Sequence, residues 1–240
     1  MRLPALLLML AILALAPCNS VAAPKCQPDA VRVGTVCMDR YEASVWAVPS
    51  AALSLLKKIE KGKATLRDLT EGGAVQHGCD ETFFNHLPYP SGFAPDGLAA
   101  ITLYAVSIPG IRPSSCLSAY QAELACRAVR KRLPFHDEWL RGALGTPDSD
   151  IDNGTTDCAV LSAAPALAGA RSSCVSALGV HDMIGNVMEW TRDPLVSSNT
   201  LPLRGGAWAW GAPAAVEATY PSNVNDVATE GIGYGFRCVR

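Results

Sequence analysis

The cysteines constrain this chain more than any other feature. Nine occur, and setting Cys18 aside leaves an even eight: Cys26, Cys37, Cys79, Cys116, Cys126, Cys158, Cys174 and Cys238. The smallest gap between neighbours is ten residues, from Cys116 to Cys126. Structural zinc sites need ligand pairs about two to four residues apart, so this spacing argues against zinc. In an exported chain an even set reads as a disulfide framework. Eight cysteines can pair in about a hundred ways, so the count alone does not choose among them.

The start of the chain supports export. Arg2 precedes the apolar run 3–16, and small residues follow at Ser20, Ala22 and Ala23. A basic start, a short apolar stretch and a small-residue site form the layout of a secretory signal, with cleavage expected after Ala22. A second reading takes Leu15-Ala16-Pro17-Cys18 as a lipoprotein signal acylated at Cys18, although Pro17 stands where such signals carry a small residue. The run is too short to span a bilayer comfortably. No later stretch is long and apolar enough, so a transmembrane span is not expected.

The apolar fraction of 49% suffices for a packed core. A net charge of −2 with 18% charged residues gives no electrostatic reason to expect nucleic acid. Short strands are expected at 31–37 and 40–46, where aromatic and β-branched residues lie between breakers. Leu53, Leu56 and Ile59 share helical spacing over 51–61. Residues 62–98, rich in Gly, Pro and Asn, read as a long loop tied down by Cys79. A strand is expected over 101–109. Ser118 with Gln121 three residues on forms a capping box that opens a helix running to about Arg130. A second short helix follows Pro134. Residues 145–175 show little periodicity. Long irregular stretches in one domain are unusual, and disulfides are a means of stabilising them.

Four stretches then carry a resemblance. They are Ala125-Cys-Arg-Ala-Val-Arg-Lys-Arg-Leu-Pro-Phe-His-Asp-Glu-Trp139, Gly179-Val-His-Asp-Met-Ile-Gly-Asn-Val-Met-Glu-Trp190, Arg204-Gly-Gly-Ala-Trp208 and Gly235-Phe-Arg-Cys-Val239. In this order and spacing they resemble the formylglycine-generating enzyme family, the sulfatase-modifying factors. Cys37-Met-Asp-Arg-Tyr-Glu42 is similar to the family's first strand, and 50–98 has no match, so it reads as an insertion. After the signal peptide read at 1–22, the resemblance implies a single domain over 24–240. It also implies the fold class: mixed α/β (α+β), related to C-type lectins, loop-rich and disulfide-stabilised. It pairs Cys126 with Cys238, a long loop whose closure the chain-entropy model values at about 4–5 kcal/mol. Local proximity suggests Cys26–Cys37 and Cys158–Cys174, which leaves Cys79 with Cys116.

The family oxidises a sulfatase cysteine to an aldehyde with oxygen and copper. Two cysteines just after Arg-Gly-Gly-Ser-Trp do this work, as soft ligands that select Cu(I). The resemblance lays them on Trp210 and near Ala215, and Ala207 replaces the serine. No copper is therefore expected, nor formylglycine-generating activity, and no catalytic residue is assigned. The four histidines, at 77, 86, 136 and 181, form no His-x-x-x-His or His-x-His pair for iron. The resemblance implies calcium before the Gly-Asn pair, with the Asp182 side chain and the main-chain carbonyls of Met183, Gly185 and Val187 as ligands. Such hard oxygen ligands suit calcium. The alternative is that Asp182 merely caps a turn.

The Gly185-Asn-Val-Met-Glu-Trp190 motif itself reads as a turn at positive φ followed by a buried strand. Glu189 would be a buried acid needing a cationic partner, either Arg204 or Arg237. Three functional readings follow. The first is an exported binding or structural module whose ligand, a peptide, protein or small molecule, occupies a groove lined by Trp208, Trp210 and Tyr234. These aromatics could equally pack the core. The second is an oxygen- or metal-dependent oxidoreductase of different chemistry, like the family branches in siderophore maturation or iron-dependent oxidation. The third is a surface lipoprotein.

Overall fold

The computed structural model describes residues 25–79, 87–149, 151–192, 200–209 and 224–240. Within them, β1 (Ala30–Val33) and β2 (Val36–Asp39) form an antiparallel hairpin. A three-stranded antiparallel sheet places β3 (Ser44–Ala47) between β4 (Val75–His77) and β5 (Tyr104–Val106). A four-stranded sheet has the order β8 (Val224–Asp226), β7 (Thr200–Arg204), β6 (Met188–Trp190), β9 (Tyr234–Gly235). Its β6 and β9 run parallel, while β6 and β7 are antiparallel with Glu189 opposite Arg204. Four helices complete the described set: α1 (Leu53–Glu60), α2 (Leu66–Glu71), α3 (Ala119–Ala128) and α4 (His136–Ala143).

Short strands, short helices and long irregular connections make this a loop-rich mixed α/β fold. Four disulfides brace it: Cys26–Cys37, Cys79–Cys116, Cys126–Cys238 and Cys158–Cys174. Cys126–Cys238 spans 112 residues and fixes α3 to the last described segment. That segment also zips onto β2. Cys37 and Arg240 exchange backbone bonds at 2.9 Å, and Asp39 N donates to Cys238 O at 2.9 Å.

α3 starts where its residues require. Ser118 Oγ accepts from Gln121 N at 3.2 Å, and Gln121 Oε1 accepts from Ser118 N at 2.8 Å. The helix buries Ala119, Ala122, Ala125 and Cys126 against a core that also holds Trp190, Leu203 and Phe236. A second core packs the hairpin's Val31, Val33 and Met38 against Trp139, Val180 and Val239. A third, small cluster gathers Cys158, Val160, Cys174 and Ile184 around one disulfide.

Several expectations need correction. Residues 62–98 are not one loop, because α2 and β4 lie within them. Thr65 and Asp68 form a capping box that starts α2, and β4 gains backbone partners along β3. The α1 face is also rotated: Leu55 and Ile59 are buried while Leu53 is 63% exposed. Leu55 and Ile59 are four residues apart and form a tighter stripe than the set chosen by spacing. The strand expected over 31–37 is instead the hairpin of β1 and β2, turning at Gly34 with φ 59°, while those expected over 40–46 and 101–109 become Ser44–Ala47 and Tyr104–Val106.

Candidate functional site

The site grows from the Gly-Asn turn. Asp182 and Asn186 both have φ 57° and Gly185 has φ 72°, so three residues within five adopt the left-handed region. Asn and Asp tolerate this region better than other side chains, because they bond locally. At Gly185 the reason for glycine is also steric, since a Cβ there would lie 2.2 Å from the Ala159 carbonyl oxygen. Asn186 then fixes the turn by bonding outward. Its Oδ1 accepts from Ala166 N at 2.7 Å, and its Nδ2 donates to Glu42. Glu42 also accepts from Val187 N at 3.0 Å.

The turn delivers Glu189 into the interior. Glu189 Oε2 accepts from the Trp139 indole at 2.7 Å. Arg237 donates to both carboxylate oxygens, from Nε at 2.9 and 2.7 Å and from Nη2 at 2.6 Å. Arg237 also donates to the backbone oxygens of Asp39 at 3.1 Å and His181 at 2.9 Å. Of the two candidate partners, Arg237 is therefore the one that pairs with Glu189. Burial opposes its charge, but Glu189 and the neighbouring acids outweigh that and hold the guanidinium above its ordinary value.

Glu42, Asp182 and Glu189 form a buried group of acids around this arginine, each about 1% exposed. Burial pushes Glu42 well above the carboxylate range, and the charges of Asp182 and Glu189 add to the rise. Burial likewise raises Asp182 to about 6. Carboxyls in this state favour a proton or a cation. Asp182 Oδ2 accepts from Gly169 N at 2.6 Å, whereas Asp182 Oδ1 is buried and accepts no bond among the described residues. Close by, a Cβ at Gly205 would come within 2.8 Å of the Met183 carbonyl oxygen.

The structure thus brings Asp182, Met183, Gly185 and Val187 into one buried turn. A buried carboxylate oxygen with no hydrogen bond is a hard donor, of the kind that suits calcium rather than a soft metal. Among the described residues no group of three or more His, Cys, Asp or Glu side chains could hold a metal ion. A site with one carboxylate and several carbonyls has no such group. Trp208 is 6% exposed and lies in the main core, its N–H donating to Asn186 O at 2.9 Å. Tyr234 is half-buried and packs edge-on against Trp190 at 5.6 Å. Trp210 lies outside the described residues.

Sequence reasoning assigned no role to Glu42, which holds the turn from a distant part of the chain. The only signal for it was an acid in an otherwise strand-like aromatic stretch. It also missed the ion triad of Lys131 with Asp29 and Asp39, at 2.6 and 2.5 Å, which ties α3's exit to the hairpin.

A loop-rich α/β domain, braced by disulfides and organised around a Gly-Asn turn over a buried acid group, defines the class. The model of the sulfatase-modifying factor enzyme 1-like domain matches residues 105–240. The chain belongs to that family, the family of the formylglycine-generating enzyme. No curated protein matches it. Among solved structures, CarF is similar at 16% identity and TM-score 0.46, over 85% of each chain. PvdO from Pseudomonas aeruginosa is similar at 17% identity and TM-score 0.44, over 85% of this chain and 80% of its own. The Major Tropism Determinant U1 variant reaches 18% identity and TM-score 0.44, over 89% of this chain and 54% of its own.

Proposed function

We propose that this protein is an exported, calcium-stabilised binding or structural module of the family, without formylglycine-generating activity. The observation that carries the reading is the fate of the cysteines. All eight from Cys26 onward are bonded in pairs, and the resemblance lays the family's copper thiolates on Trp210 and near Ala215, where this chain has no cysteine. No thiol pair is left to act as the soft ligands that Cu(I) requires. Export is supported by the signal-like start at 1–22 and by the disulfides. No described helix is long and apolar enough to cross a membrane. Calcium is supported by the unpartnered Asp182 oxygen in its buried turn. The Asp182 carboxylate and the carbonyls of Met183, Gly185 and Val187 would hold the ion, which would supply charge and rigidity rather than catalysis.

The test is to incubate the purified, oxidised protein with copper and a Cys-x-Pro-x-Arg peptide and to follow peptide mass. No aldehyde should form, and free-thiol titration should find none beyond Cys18 if that residue is retained. Conversion of the peptide, or a titratable thiol pair, would overturn the reading in favour of an oxidoreductase. Acylation found on Cys18 would instead place the same module on a membrane surface as a lipoprotein.

A further inference from the structure

Along the outside of α3 runs a trench with a volume of about 430 Å³, within the usual size of a small-molecule site. Its walls are Leu98, Tyr120, Leu124, Leu133, Leu201 and Val227. Leu98 is 78% exposed and Tyr120 41%. A second hollow of about 260 Å³ shares Leu124 and Arg127 with the first and continues the apolar surface to Ile101, itself 40% exposed. Grouped exposure of large apolar side chains in a concave surface marks a binding site more often than chance scatter does.

The charges along the trench are not evenly placed. At the C-terminal end of α3, Arg127 and Arg192 both face one carboxylate. Arg127 Nε lies 2.9 Å from Glu123 Oε1 and Arg192 Nη1 lies 3.6 Å from the same oxygen. Glu123 Oε2 is already engaged by Leu133 N at 2.9 Å. Two guanidiniums therefore share one acid, and their side chains are 64% and 40% exposed. Among the described residues the one other charge on the lining, Asp96, stands near the opposite end of the helix beside Leu98, whose N–H it accepts at 2.9 Å. From Ala119 to Arg127 the helix rises about 12 Å, so the apolar floor is long enough for an extended alkyl chain.

We propose that this trench binds a fatty-acyl carboxylate, with the chain along Tyr120, Leu124 and Leu201 and the carboxylate on Arg127 and Arg192. Arginine suits the head group because its planar donors match a carboxylate in pairs. The site is distinct from the Gly-Asn turn and shares no residue with the Trp208 and Tyr234 region, so it stands or falls apart from the calcium and oxidase readings.

Calorimetric titration of the oxidised protein with decanoate and decylamine, each below its micellar concentration, tests it. Decanoate should bind saturably at one site and about tenfold or more tighter than decylamine, as charge-assisted bonds require. The R127Q/R192Q variant should lose that preference, and L98D, at an exposed position, should weaken decanoate without altering the fold by circular dichroism. Absence of saturable binding would overturn the proposal. So would equal binding of the acid and the amine, or a preference that survives in R127Q/R192Q.

Discussion

Arg237 Nη2 stands 2.6 Å from Glu189 Oε1, and neither side chain is more than 1% exposed. The pair joins the β6 acid of the Gly-Asn motif to the residue before the last cysteine, so two motifs distant in sequence meet in one bond network. A buried ion pair adds little over well-packed apolar groups, but removing one partner strands the other charge. Arg237→Met should therefore cost about 3–5 kcal/mol in urea unfolding. The double change E189Q/R237M should recover a large part of that loss, because glutamine can still accept from Trp139. A double variant as unstable as the single one would show that the arginine acts through its backbone contacts to Asp39 and His181 instead.

Asp182 supplies a second prediction. Its Oδ1, which accepts no hydrogen bond among the described residues, would be the side-chain ligand of the proposed calcium ion. Calcium that binds only the folded state should stabilise it by about 3 kcal/mol at a hundredfold excess over the dissociation constant. The melting temperature should therefore rise with calcium and fall back with chelator. Asp182→Asn should abolish the calcium response while the metal-free variant melts no lower than the wild type, because the buried charge is gone. A calcium response that persists in D182N would move the ion elsewhere.

The motifs that repeat local chemistry were legible in the sequence, and the long-range partners were not. Ser118 and Gln121 announce α3 because both halves of a capping box lie within one turn. The Gly185–Asn186 turn is legible for the same reason. The choice of Arg237 over Arg204 was not, since Arg204 ends β7 beside β6 and Arg237 follows β9 by two residues, and only packing decides which guanidinium reaches Glu189. Glu42 was invisible because its partners Asn186 and Val187 lie more than 140 residues away. The α1 face was misread because Leu53, Leu55 and Leu56 offer two overlapping stripes, and the choice depends on what the helix packs against. In 62–98, β4 is a three-residue strand whose existence depends on β3 beside it.

The disulfides should differ in worth according to the loops they close. Cys26–Cys37 spans 11 residues and Cys126–Cys238 spans 112. The loop-entropy relation gives about 3 kcal/mol for the first and about 5 kcal/mol for the second. The C126A/C238A variant should therefore lose more stability to urea than C26A/C37A does. Equal losses, or the reverse order, would mean that residual structure in the unfolded chain, rather than loop length, controls the contribution.

The Lys131 triad leads to a pH dependence. Asp39 is fully buried, and desolvation raises it from 3.8 to about 6 despite the pull of Lys131 beside it. Between those values the folded chain holds a proton that the unfolded chain has released. For this group, stability is therefore greatest below about pH 4 and declines as pH rises through about 6. The full difference is about 3 kcal/mol. Asp39→Asn cannot titrate, so carboxyls remote from the Lys131 triad cancel when variant and wild type are compared at each pH. The wild type should lose stability relative to D39N in urea unfolding between pH 4 and pH 6 and hold a constant difference above pH 7. If the wild type instead gains on the variant as pH rises, the attraction of Lys131 outweighs burial, and the triad works as a stabilising ion pair at neutral pH.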